Sequence, residues 1–405
     1  MTGDVQIGDF FQNLSYYDDY DGGFAPCEPF SGYLNFFHVY YIPFIISVGL
    51  IGNLLSCIVF LTTHLRMRSS SYYLAALAVA DFTFLAILLL VHCSFNNVIE
   101  IYNQKGWCQS FVYLSTVCST LSVWLVVAFT VERFIAVRYP LQRPQICTIA
   151  RAKLVISVLC LIALISQIYI FWVAGIVEMA DYPICEMLPE YQELMKVINF
   201  LDTIVTLIAP VTLIIAMNTM IIRNLLQFRK KFQNGSLEDS LCNSNQESDL
   251  HRSQTQIDVS IRRNLSTEQF PKRSSATNSI RKYRLFFQAR HLDKQNANYG
   301  NKNLLSTRNQ QNITKMLLLI SSAFILFNLP SYGIRLYVFF VYTIWHKSPP
   351  DVLWCLQQFA MLLFYTHFSI NFLLYAMCGI TFRRCLWQIL CNKVTKLKRR
   401  VCRFN

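Results

Sequence analysis

Leu74-Ala75-Ala76-Leu77-Ala78-Val79-Ala80-Asp81-Phe82-Thr83-Phe84-Leu85-Ala86-Ile87-Leu88-Leu89-Leu90-Val91 is an apolar run with a single carboxylate in it. A helix needs ~20 mostly apolar residues to cross ~30 Å of hydrocarbon, so this stretch reads as one membrane span, about 72–97. Six more follow the same rule: about 37–64, 109–135, 153–177, 195–222, 314–343 and 352–378. Pro43, Pro210 and Pro330 fall inside spans, where neighbouring helices satisfy the freed carbonyls. Nothing alternates apolar and polar over ~10 residues, as a barrel strand would. Composition agrees: 54% of the 405 residues are hydrophobic and only 15% charged, with 31 Phe and 21 Tyr. Soluble, fibrous and disordered classes are thereby excluded. The net charge of +13 sits in a few short stretches, with no Lys or Arg before Arg66, which argues against nucleic acid as a partner.

An odd number of spans puts the termini on opposite sides. Arg and Lys crowd the connectors 65–71, 136–152 and 223–313 and the tail after 379, whereas the N-terminal tail has Asp4, Asp9, Asp18, Asp19, Asp21 and Glu28 and no base. The positive-inside rule therefore places the N-terminus outside. Residues 1–36 lack a basic segment followed by a compact apolar core, so the first span is expected to act as its own insertion signal. The expected organisation is an extracellular tail 1–36, helices 1–5 over 37–226, a disordered cytosolic loop 227–308, helices 6–7 over 309–379, and an amphipathic helix with tail over 380–405. Asn13-Leu14-Ser15 is a glycosylation acceptor on the outer side. The same pattern at Asn234, Asn264 and Asn312 falls on the cytosolic side and reads as chance. The acidic run Tyr16-Tyr17-Asp18-Asp19-Tyr20-Asp21 resembles a sulfation context and fits a merely solvated tail better. Basic-then-serine patterns in the long loop, such as Lys272-Arg273-Ser274, fit kinase acceptors or simple composition.

Of fourteen cysteines, Cys27, Cys108, Cys185 and Cys355 lie outside, where thiols oxidise. Four cysteines permit three pairings. Cys108 with Cys185 would pin the connector after the fourth span over the bundle mouth, leaving Cys27 with Cys355. On the cytosolic side Cys385, Cys391 and Cys402 lie among bases beside the amphipathic segment 380–390. That is a palmitoylation context for Cys385 and Cys391, although free thiols fit too.

Ionisable groups in a bilayer cost ~2.5–3.5 kcal/mol or more each, so the few present are candidates. Asp81, Asn53, the stripe Ser115-Ser119-Ser122, and Asn371 with Tyr375 must turn toward one another. They would form a cation or proton site; the same set also fits a purely structural network. At the inner end of the third span Glu132-Arg133 can pair locally, and an opened pair would free the guanidinium for an inserted partner's carbonyls. Interfacial anchoring is the plainer reading.

Gly52-Asn53, Leu77 to Asp81, Cys108 with Cys185, Glu132-Arg133-Phe134, Pro210, Phe324 with Pro330, and Asn371-Phe372-Leu373-Leu374-Tyr375 stand in order on the right spans. Through them the chain resembles rhodopsin-like (class A) G-protein-coupled receptors over about 37–392. Ser69-Ser70-Ser71-Tyr72-Tyr73-Leu74 and Cys147-Thr148-Ile149-Ala150-Arg151 resemble thyrotropin-releasing hormone receptors, and Phe327-Asn328-Leu329-Pro330-Ser331-Tyr332 is similar to insect CNMamide receptors. The resemblance implies an all-α seven-helix bundle with a short C-terminal helix in the plasma membrane. It also implies Na+ at the network of Asp81, Asn53, Ser122 and Asn371, with no other cofactor. The implied switch is made by Glu132, Arg133 and Tyr375, and the implied partners are a heterotrimeric G protein, arrestin, kinases and membrane lipid. The chain departs from the family's usual pattern at Cys160, Asn328, Asn218, Phe372 and His367. These positions bear on the tryptophan toggle, the seventh-helix kink and sodium affinity.

For the outer pocket, Ser115 stands where amine receptors resemble one another in an aspartate, which disfavours amines. Asn199, Asp202 and Thr206 share a face of the fifth helix; Asn328, Tyr332 and Arg335 share one of the sixth. Arg335 is expected to bind a peptide's C-terminal carbonyl or amide and Asp202 a basic or N-terminal group, unless the two charges pair with each other. His92, Ser115, Thr116, Gln357 and Tyr365 are expected to shape the pocket. The reading is a receptor for a short, amidated neuropeptide; the alternative is a seven-helix transporter or channel using Asp81. No embedded metal cluster or Ser–His pairing at suitable spacing points to an enzyme, and the absence of lysine from 352–378 excludes a retinal Schiff base.

Overall fold

The computed structural model describes residues 30–96, 98–179, 182–227, 316–341 and 351–391. Asn13, the tyrosine run, Cys27, the loop acceptors and Cys402 lie outside them. The chain divides into two compact units, Met1–Met220 with Asn312–Asn405 and Ile221–Gln311. The bundle belongs to the first, and residues 221–227 of the second are helical.

Among the described residues seven helices are long and apolar enough to cross a membrane: α1 Gly32–Thr62, α2 Ser69–Phe95, α3 Trp107–Arg138, α4 Ile149–Val173, α5 Glu193–Gln227, α6 Met316–Val341 and α7 Cys355–Cys378. A further helix, α8, covers 380–391. The expected seven-helix architecture is therefore present, with shifted boundaries. Helix α1 starts at Gly32 rather than 37, and α2 and α3 extend into flanks that hydropathy undercounts, such as Ser69-Ser70-Ser71 and Glu132 to Arg138. Helix α4 stops early. It turns at 167–169, and Ala174–Met179 (β1) pairs antiparallel with Tyr182–Met187 (β2), Ile176 opposite Cys185. The apolar residues after 173 belong to this hairpin, not to the span.

Helix α2 lies against α1, α3, α4 and α7, so it is the element from which buried polar groups reach most neighbours. Large side chains such as Phe44, Ile51, Ile162 and Ile165 point outward, a surface suited to lipid rather than water. Small residues bring the helices close. A Cβ on Gly49 would run into Leu85 and lie 2.6 Å from Ser369 Oγ; one on Gly52 would lie 2.7 Å from Phe372 Cβ. At the head of α3, Gly106 has φ of +88°, a conformation glycine tolerates, and its amide donates to Gln109 Oε1 at 2.8 Å. Two π-helical turns widen the backbone, Phe37–Tyr41 in α1 and Ile204–Ile208 in α5.

Candidate functional site

The mid-bundle network forms around Asp81, which is fully buried. Ser122 Oγ on α3 donates to Oδ1 at 2.7 Å, and Asn371 Nδ2 on α7 donates to Oδ2 at 2.7 Å. A carboxylate in a low-dielectric interior needs such donors or a counter-charge. Asn53 does not join Asp81 directly. Its amide donates to the α7 carbonyl of Phe368 at 2.9 Å, and its Oδ1 has no partner among the described residues. Carboxylate, hydroxyl and amide oxygens are hard ligands of the kind alkali and alkaline-earth cations take. No group of three His, Cys, Asp or Glu able to hold a metal occurs among the described residues.

Toward the C-terminal end of α3, Glu132 Oε1 accepts from Arg133 Nη2 at 2.7 Å and from Ser69 Oγ at 2.8 Å. Both charged side chains are at least nine-tenths buried. Ser69, the first residue of α2, thus completes a clasp between α2 and α3 that the charge pattern did not reveal; a serine run at a helix start was its only signal. The Arg133 guanidinium also lies over the Phe129 ring at 5.7 Å, and its Nε has no partner among the described residues. Cys147, in the connector beyond α3, has its Sγ 4.0 Å from the Glu132 carbonyl. Burial pushes the Cys147 thiol up, and the Glu132 charge adds to that shift. Tyr375 is fully buried between Phe60 and Phe382, with its hydroxyl unpartnered among the described residues. Asn218 on α5 donates to Ser321 Oγ on α6 at 2.8 Å, linking the two helices.

At the N-terminal end of α3 the disulfide Cys108–Cys185 ties β2 to that helix, with Cα atoms 5.5 Å apart. Asn103 Oδ1 accepts from the Cys185 amide at 3.1 Å. Cys355 is also disulfide-bonded. Beneath the hairpin Tyr102 is buried, and burial first, then Tyr365 and Glu186, raise its phenol well above the usual value.

Deeper, Arg335 lies over the Tyr332 ring at 5.4 Å, and its Nη2 meets the Met361 thioether at 3.8 Å. Asp202 on α5 is half-buried, its backbone carbonyl accepts from Thr206 Oγ1 at 2.7 Å, and it forms no ion pair with Arg335. Gln167, at the break in α4, was not singled out from sequence; it donates to Thr120 Oγ1 at 3.3 Å. Other expected pocket residues are engaged elsewhere. Ser115 donates to its own helix at Val112, Thr116 to Val112 and Tyr113, and Asn328 to Phe324. Tyr365 is packed against Phe84 and Phe364. Gln357 donates to Ser331 Oγ at 3.3 Å, and His92 is half-buried with its Nδ1 unpartnered among the described residues.

On α8, Cys385 is fully buried with its sulfur 3.7 Å from His64 Nδ1, whereas Cys391 is exposed.

Over 118 residues the chain is 32% identical to the thyrotropin-releasing hormone receptor of Gallus gallus, 28% of each protein's length. Over 135 residues it is 29% identical to growth hormone secretagogue receptor type 1 of Homo sapiens and of Mustela putorius furo, 32% of this chain and 35% of theirs. The matches thus span about a third of these relatives. The family profile described as "7 transmembrane receptor (rhodopsin family)" covers residues 52–375, most of the chain. That match leaves the transporter or channel alternative without support. With seven apolar helices, a hairpin tethered at one end of the bundle and a Glu132–Arg133 clasp at the other, the chain belongs to the rhodopsin family of seven-transmembrane receptors.

Proposed function

We propose that the protein is a plasma-membrane receptor, N-terminus outside, that binds a short extracellular peptide and activates a heterotrimeric G protein. The observation that carries this reading is the outer cluster around Arg335. The guanidinium has five N–H donors, and the acceptor found for it among the described residues is a thioether. A half-buried cation so poorly matched is a place for a ligand's oxygen atoms. Two relatives named as receptors for a releasing hormone and for a secretagogue support an extracellular messenger. Ligand at the outer cluster shifts the population toward an open inner face. Opening separates Arg133 from Glu132 and offers its guanidinium to carbonyls of the inserted partner, while Tyr375 swings inward. Asp81, with Ser122 and Asn371 beside it, would hold a sodium ion, whose charge would favour the closed state. Arrestin and kinases act on the same inner face, and Cys391 is the acylation site.

The test is a second-messenger screen of amidated neuropeptides on expressing cells. Arg335→Ala is expected to lower the potency of the best agonist, and Arg133→Ala to abolish coupling with binding retained. Unchanged potency for Arg335→Ala would remove the pocket assignment; normal signalling by Arg133→Ala would remove the switch.

A further inference from the structure

The seam between α6 and α7 is joined by four side chains, each pair one helical turn apart: Ser331 and Arg335 on α6, Gln357 and Met361 on α7. Gln357 Nε2 donates to Ser331 Oγ at 3.3 Å, and Ser331 Oγ donates to the Met361 thioether at 3.3 Å. Arg335 Nη2 donates to the same sulfur at 3.8 Å. Two donors on one helix thus converge on a single sulfur of the other. Ser331 and Met361 are each 1% exposed and Gln357 5%, so water competes little for these contacts. The acceptor is the odd member. A thioether is soft, polarisable and a weak acceptor, whereas a guanidinium is matched by the oxygens of carboxylates, carboxamides and carbonyls. Gln357 Oε1 is such an oxygen, one turn of α7 away, and it has no partner among the described residues. The cation rests on sulfur while a better acceptor nearby stands unused. A contact of that kind fixes the direction of the guanidinium and costs little to break.

We propose that Met361 is a positioning residue of the binding site: its sulfur holds Arg335 loosely in the ligand-free receptor and yields it to an oxygen of the ligand. The thioether is a placeholder, and its weakness sets the affinity. A stronger acceptor at this position keeps the guanidinium for itself. The inference rests on the reading of Arg335 as a ligand contact and names the residue that tunes it.

The test exchanges the acceptor at nearly constant volume. Met361→Gln supplies a carboxamide oxygen, and Met361→Leu supplies no acceptor. The probe is the most potent amidated peptide of the screen, on receptors at matched surface density. Met361→Gln is expected to lower its potency about tenfold or more, because capture shrinks the fraction of free guanidinium, while Met361→Leu stays within about threefold of wild type. In an Arg335→Ala background Met361→Gln should change potency by less than about threefold. Purified, ligand-free receptor gives a second measurement: Met361→Gln should melt about 2 °C or more above wild type and lose that gain when combined with Arg335→Ala. A packing role alone would instead lower stability and potency in both variants. Wild-type potency in Met361→Gln would overturn the inference, as would equal losses in Met361→Gln and Met361→Leu, or a Met361→Gln loss that persists without Arg335. If Arg335→Ala by itself leaves potency unchanged, the pocket reading and the inference fall together. If no peptide acts, the melting comparison still decides, and the absence of a gain in Met361→Gln would overturn the inference.

Discussion

Removing one hydroxyl at the inner end of α2 is expected to raise agonist-free signalling. Ser69 Oγ and Arg133 Nη2 share a single acceptor, Glu132 Oε1, at 2.8 and 2.7 Å. Glu132 is 6% and Arg133 4% exposed, so water does little to replace either bond. A hydrogen bond to a charged group contributes about 1.5–3 kcal/mol. If the Ser69 bond exists only while the inner face is closed, Ser69→Ala raises the open-to-closed ratio by about 10- to 100-fold. From a resting open fraction of about 1%, the variant reaches about 10–50% open. Glu132→Gln goes further, since it strips the counter-charge from a buried guanidinium, a loss of about 3–5 kcal/mol. The assay is basal second-messenger output per receptor at the cell surface, with an epitope tag to equalise density. Raised output in Glu132→Gln with wild-type output in Ser69→Ala would show that the serine is a bystander. Wild-type output in both would sink the clasp as a restraint.

Four further outcomes are expected. Cys108→Ser frees β2 from α3 across 77 residues of chain and should lower stability by about 2–5 kcal/mol, read as lost surface expression and agonist binding; full retention of both would show the tether to be dispensable. Asp81→Ala strands the Ser122 and Asn371 donors and should lower the melting temperature of purified receptor, each stranded group costing about 1–3 kcal/mol, whereas Asp81→Asn should keep most of the stability and lose any sodium effect on it. Gly49→Val forces a branched side chain into Leu85 and Ser369 and should cost about 1–3 kcal/mol or more, seen as intracellular retention. Cys147, its thiol raised by burial and by Glu132, holds less thiolate at neutral pH than an ordinary cysteine; maleimide labelling followed by mass spectrometry should be slow at pH 7 and speed up with pH, and ordinary kinetics at pH 7 would contradict the placement.

The spans were legible because an apolar run of this length has few other fates, and Asp81, Ser122 and Asn371 were legible because isolated polar groups in such runs must find one another. The hairpin was not. Ala174-Gly175-Ile176-Val177 is as apolar as the end of a helix, and only the turn after Ser166 and the tether at Cys185 reveal it as a strand. Asn53 looked like a partner of Asp81, yet it bonds the backbone of α7, a choice set by helix rotation rather than by residue type. Ser69 and Gln167 carry no charge to draw the eye; their importance comes from what lies opposite them. Asp202 and Arg335 stood out as ionisable residues, but that they form no ion pair with each other depends on how the helices are spaced, which residue type does not state.

The helix that contains α7 runs unbroken over Asp351–Cys378, with Phe372 where a proline would supply a soft joint above Tyr375. The Phe372 side chain is wedged against Gly52, leaving no space for even a methyl group. A shaft without a joint has to move as a lever. If the Tyr375 phenol swings inward, the α1–α7 seam at Gly52 and Phe372 moves with it.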